Sequence, residues 1–122
     1  MPFDYKVDSE NQLITIEGLG YASMEERYDC VKILMNDQSI ESKHHILIKV
    51  CKVINTPLPN DIPSIVSLIE RLHSKFKGRV AILNTVAGHV TFSNIIALSS
   101  HSYPDNVQSF LTETEALEWL RH

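Results

Sequence analysis

Ile46-Leu47-Ile48-Lys49-Val50-Cys51-Lys52-Val53 is an apolar run broken only by two lysines. That is the composition of a strand covered on both faces rather than one with a wet side. A doubly covered strand belongs inside an α/β sheet, so its flanks decide the architecture. Downstream, Val80-Ala81-Ile82-Leu83, bounded by Arg79 and Asn84, reads as a second buried strand at the centre of the sheet. Between the two runs, Asn55-Thr56-Pro57-Leu58-Pro59-Asn60-Asp61 is a turn-rich loop ending in a helix cap, with Pro63 tolerated in the first helical turn. The helix it opens runs to Lys77. Ile62, Ile65, Val66, Ile69, Leu72 and Phe76 share one face, Ser64, Ser67, Arg71, Ser74 and Lys75 populate the other, and Gly78 closes it.

Working back toward the start, Ser23 and Glu26 have the spacing of a capping box and open a helix to about Asn36. Met24, Tyr28, Val31 and Met35 form its inward stripe, with Leu34 on the flank and Ile33 opposite. Phe3, Tyr5 and Val7 alternate with Asp4, Lys6 and Asp8, the period of a strand with one wet face. Ser9-Glu10-Asn11 turns the chain into a second strand from Leu13, broken by Gly18 and Gly20, so a hairpin is expected. Toward the end, Gly88 and His89 open a third helix reaching Ser100, and Pro104-Asp105-Asn106 turns into a strand over Val107–Phe110. Thr112 and Glu115 then cap a last helix through Trp119.

The order is ββαβαβαβα in one domain spanning residues 1–122: a mixed five-strand sheet with strand one antiparallel and strands two to five parallel, joined by right-handed crossovers. Ligands of such sheets meet the carboxyl edge of the parallel strands, where helix N-termini converge. That edge collects Asn55, Thr56, Asn60, Asp61, Ser64, Asn84, Thr85, Gly88 and His89 as candidate binding residues.

Over 122 residues, 43% hydrophobic and 21% charged content is ordinary globular usage, and a net charge of −4 with scattered lysines and arginines argues against nucleic acid. Charges within the first six residues and the lack of a long apolar segment point to the cytoplasm, with no transmembrane segment. Cys30 and Cys51 have neither disulfide-framework nor zinc spacing and read as reduced core residues.

The element order, Gly78-Arg79-Val80-Ala81-Ile82 leading into the fourth strand, and the ending Val107-Gln108-Ser109-Phe110-Leu111-Thr112-Glu113-Thr114-Glu115-Ala116-Leu117-Glu118-Trp119-Leu120 together resemble the STAS domains, the sulfate-transporter and anti-sigma-factor-antagonist family, especially its stand-alone bacterial relatives. The likeness covers nearly the whole chain and implies fold more than function. Anti-sigma antagonists of that family carry an Asp-Ser-Ser-Gly motif after the third strand, with one serine phosphorylated. Here the corresponding stretch is Ile54-Asn55-Thr56-Pro57, so the resemblance transfers no phosphorylation site, and Lys49 stands where relatives often have an aspartate.

Thr56 and Ser64 flank a helix start, a place that favours phosphate but also the ordinary home of such residues. His44 and His45, adjacent on a strand, point to opposite faces and cannot share an ion, while His73 sits on the apolar stripe of helix two; no metal and no cofactor is expected. There is no Gly-x-Ser-x-Gly elbow or glycine-rich phosphate loop, and His89 lacks a partner in sequence, so a binding module is expected rather than an enzyme.

Between Arg79 and Asp105 there is no Asp, Glu, Lys or Arg, although the interval holds a whole helix. Phe92, Ile95 and Ile96 read as its core stripe, leaving Val90, Ala97, Leu98 and His101 as an outer interface. The leading expectation is a binding or regulatory module acting through contact with another protein or a second copy as a homodimer; the alternatives are an apolar small molecule or lipid, or chance, since Ser93, Asn94, Ser99 and Ser100 supply polarity for water.

Overall fold

The apolar run at residues 46–53 lies in β3 (His45–Val53), flanked by β2 (Leu13–Gly20) and β4 (Val80–Leu83), both parallel to it. β1 (Phe3–Asp8) pairs antiparallel with β2, and β5 (Val107–Phe110) parallel with β4, giving the order β1-β2-β3-β4-β5. The computed structural model describes residues 3–85, 87–101 and 105–121, without the side chains of residues 87–89. Pro104, expected in the turn before β5, lies outside the described residues.

Four helices alternate with these strands: α1 (Met24–Asn36), α2 (Ile62–Lys75) after a 3-10 turn at Pro59–Asp61, α3 (Ala87–Ser99) and α4 (Glu113–Arg121). The ββαβαβαβα order and mixed five-strand sheet are those read from the sequence. Side-chain alternation divides the sheet in two. Ile14, Ile16, Ile46, Val80, Ile82 and Val107 join α1, α2 and α3 in the larger core. Leu47, Ala81 and Leu83 face α4, against Ala116 and Leu120.

Local chemistry sets the helix ends. Ser23 Oγ accepts from the Glu26 N–H at 3.2 Å while Glu26 Oε1 accepts from the Ser23 N–H at 3.2 Å, the reciprocal box foreseen at α1. The other end of α1 is closed from a distance. Lys75 Nζ donates to the carbonyls of Leu34, Met35 and Asp37 at 2.9, 3.0 and 2.9 Å, giving partners to groups a helix terminus leaves open. Thr112 caps α4, accepting from the Glu115 N–H at 3.3 Å.

Several expectations are corrected. Gly18 does not break β2; it is buried within it, because a Cβ there would lie 2.5 Å from Val53 Cγ2 and 2.8 Å from Phe3 Cε1. Gly20, at φ 76°, ends the strand in the left-handed region that glycine tolerates. α2 stops at Lys75, and Gly78 serves close approach rather than closure: a Cβ would sit 2.5 Å from the His44 carbonyl oxygen. The buried face of α1 is Cys30, Val31 and Leu34, while Tyr28 is exposed, because α1 packs on α2 as well as on the sheet and its covered arc turns toward that neighbour.

α3 differs most. Among its described side chains Ser93, Ile96 and Ala97 are buried, as is Ser100 just past its end, and Ile95 is exposed, so Ala97 belongs to the core and cannot contribute to an outer interface. Periodicity of apolar residues missed this because two serines occupy inward positions. Ser93 Oγ accepts from Asn84 Nδ2 at 3.1 Å, and such a partner removes most of the cost of burial.

Lys49 lies on the α4 side, 2.9 Å from Glu113 and 3.7 Å from Glu17, joining β2 and β3 to the start of α4.

Candidate functional site

Between Glu17 and Leu19 the β2–β3 register shifts: Glu17 opposes Lys49 but Leu19 opposes Lys52, so Val50 and Cys51 together face Gly18. Such a bulge re-aims the side chains beyond it. Val50 and Val53 both reach the three-helix side, where they line a cavity of about 110 Å³. The other walls are apolar side chains of the sheet, α1 and α2, with Phe92 and Ile96 of α3. The polar groups are few: Arg27, Asn55, Asn84, Ser93 and the Cys30 thiol. Burial pushes that thiol up to about 11, so it is protonated at neutral pH and adds no charge.

Asn55 closes one corner. Its Oδ1 accepts from the Ala22 N–H at 2.8 Å and its Nδ2 donates to the Ala22 carbonyl at 2.9 Å, tying the β3–α2 loop to the β2–α1 loop. The same carbonyl accepts from Arg27 Nη1 at 3.1 Å, and the Arg27 guanidinium stands 5.8 Å from the centre of the Phe3 ring. Burial lowers the Arg27 pKa from its ordinary value, an effect opposed by the charge of Asp61. Asn84 is buried at the end of β4, its N–H donating to the Phe110 carbonyl at 3.1 Å.

Beside the cavity lies an open cleft between the same two loops, and the two spaces share Arg27, Asn55 and Pro57 as walls. The carboxyl edge thus brings together part of the candidate set. Asn55 and Asn84 line the cavity, while Thr56 and Asp61 line the cleft. Asn60 and Thr85 are exposed, and Ser64, half-buried in the first turn of α2, borders neither space. Gly88 and His89 fall in the first turn of α3, with side chains outside the described residues.

On the outer side of α3, Leu98 is exposed and Val90 half-buried. His101 is exposed against Glu70, its N–H donating to Glu70 Oε1 at 2.9 Å. The residues sequence reasoning missed are Arg27, Cys30 and Ser93. A charged residue between Met24 and Val31, near the inward stripe of α1, was the available signal for Arg27.

The histidine pair diverges. His44 is buried with Nδ1 2.9 Å from the Glu41 carbonyl, whereas His45 Nδ1 accepts from the Arg79 N–H at 2.8 Å on the α4 side. Among the described residues no group of three His, Cys, Asp or Glu is gathered as metal ligands, and no helix is long and apolar enough to cross a membrane.

No family model matches the sequence, and no curated protein does. Among solved structures the chain is similar to an uncharacterized protein of the DUF3478 family with a SpoIIAA-like fold from Shewanella loihica PV-4. The two share 15% identity and superpose with a TM-score of 0.62 over 97% of this chain and 91% of that one. Taken with the strand order and the parallel register of β2 to β5, the likeness shows that this chain has the SpoIIAA-like, STAS-like fold.

Proposed function

We propose that the chain is a cytoplasmic, non-catalytic binding module whose ligand is a small apolar molecule seated between the sheet and the three helices α1, α2 and α3. One observation carries the reading: an apolar cavity of about 110 Å³ opening toward the carboxyl edge. An engineered cavity of about 150 Å³ accepts benzene, so this smaller space suits a slimmer occupant such as an alkyl chain entering from its open end. Left empty, it costs about 2–3 kcal/mol at roughly 24 cal/mol per Å³, and an apolar occupant restores part of the lost contact. Its polar groups are amides, a hydroxyl, a guanidinium and a protonated thiol, a set suited to orienting a ligand and lacking a general base.

Titration with octan-1-ol followed by amide NMR tests this. Shifts are expected at Val31, Ile69 and Ile96, which wall the cavity; a flat titration at all three overturns it.

A second reading, contact with another protein or a second copy, is favoured by Ile95 and Leu98, 40% and 58% exposed on α3. Light scattering across a dilution series tests it: an oligomer that Leu98→Glu dissociates supports the reading, and a monomer throughout counts against it.

A further inference from the structure

The cavity and the cleft meet at a cation. Arg27, on α1, walls both spaces, and among the described residues no carboxylate forms an ion pair with it. A guanidinium carries five N–H donors. The bond to the Ala22 carbonyl engages one of its three nitrogens. Glu26 is committed to the capping box with Ser23, and Asp61 acts on Arg27 only through space. The cleft is rimmed by exposed apolar side chains, Tyr21, Ile54 and Leu58. A greasy rim, a cation with donors to spare, and an apolar chamber follow one another inward. That sequence of surfaces matches a molecule with one anionic end and one apolar end.

Resting on the cavity reading above, we propose that the ligand is an anionic amphiphile whose tail fills the chamber and whose carboxylate or phosphate head is held by Arg27. Guanidinium geometry suits both heads, since two parallel N–H bonds can reach two oxygens of either. The partial burial of Arg27 strengthens the attraction over what the same charge offers at an open surface. The chain carries a net charge of −4, so attraction of an anion has to be local rather than global, and Asp61 opposes it.

Calorimetric titration with octanoate, octyl phosphate and octan-1-ol, equal in chain length, tests the head separately from the tail. At least one anion is expected to bind about tenfold tighter than the alcohol, the scale of a charge-assisted hydrogen bond; which anion leads identifies the head as carboxylate or phosphomonoester. Arg27→Gln is expected to erase the preference while alcohol binding persists, which also shows that the variant folds. Arg27→Lys is expected to keep part of the preference, and Asp61→Asn to tighten anion binding about two- to threefold. Equal affinity for alcohol and anions in the native protein, or a preference that survives Arg27→Gln, overturns the inference and leaves the cavity reading standing. Binding of none of the three overturns both.

Discussion

The two faces of the sheet solve the same covering problem differently. On one, a single helix closes tightly: Ala81 of β4 and Ala116 of α4 are fully buried, and small residues at facing positions let backbone approach backbone. Aromatic contacts seal its edge, with the Phe110 and Trp119 rings 5.3 Å apart and Arg79 5.0 Å over Trp119 while bonding its carbonyl at 2.6 Å. On the other face the helices bring large side chains such as Leu34, Leu72 and Phe76 to the sheet, and a cavity remains that no residue of α4 lines. Protein interiors normally pack without such voids. A closed face stabilises, and a face left open at one end can receive something.

Truncation gives the largest separation between the faces. Phe76→Ala, at a fully buried position under the three helices, is expected to cost about 3–5 kcal/mol, and Leu120→Ala under α4 about 2–4 kcal/mol, by chemical denaturation. A reversed order would mean that the α4 side carries the thicker core.

Enlargement tests the void itself. Ala116→Leu has no space to enter and should destabilise by about 1–3 kcal/mol. Val31→Leu adds one methylene beside the cavity and should change stability by less than about 0.5 kcal/mol while weakening octan-1-ol binding. Equal losses from both would break the contrast.

The smallest effect is one of pH and belongs to the α4 side. Burial, then the charge of Arg79, then His44, lower the His45 pKa from its ordinary 6.5, and its Nδ1 must stay unprotonated to accept from the Arg79 N–H. Below pH 6.5 the unfolded chain therefore binds more protons than the native one. Stability held above that value declines as pH falls through 6.5 toward the folded pKa. His45→Gln should flatten the Tm profile between pH 7 and 5. The lowered carboxylates Asp8 and Asp37 titrate below this window, so an unaltered slope in the variant would remove His45 from the account.

Much of the architecture was legible locally. The apolar runs at β3 and β4, the capping box at Ser23 and the side-chain cap at Thr112 are short-range signals, because backbone geometry and hydrogen bonding at those points depend on residues a few positions apart, although Thr112 and Glu115 form only half of the box expected there. The carboxyl edge followed from topology alone, and Asn55 and Asn84, both placed on it from the sequence, line one space.

Tertiary structure decided the rest. Tyr28 left the inner face of α1, and Leu34 moved onto it from the flank, because a second helix lies beside it; Ser93 on α3 and Ser100 just past it turned inward, with Asn84 donating to Ser93. The roles of Gly18 and Gly78 are set by Val53 and His44, far away in sequence. The cavity exists in no segment: it is the volume left when three helices and a bulged strand, each locally satisfied, are packed together. An amino-acid pattern records which side of an element avoids water, but the fit between elements depends on shapes that meet only in the folded chain.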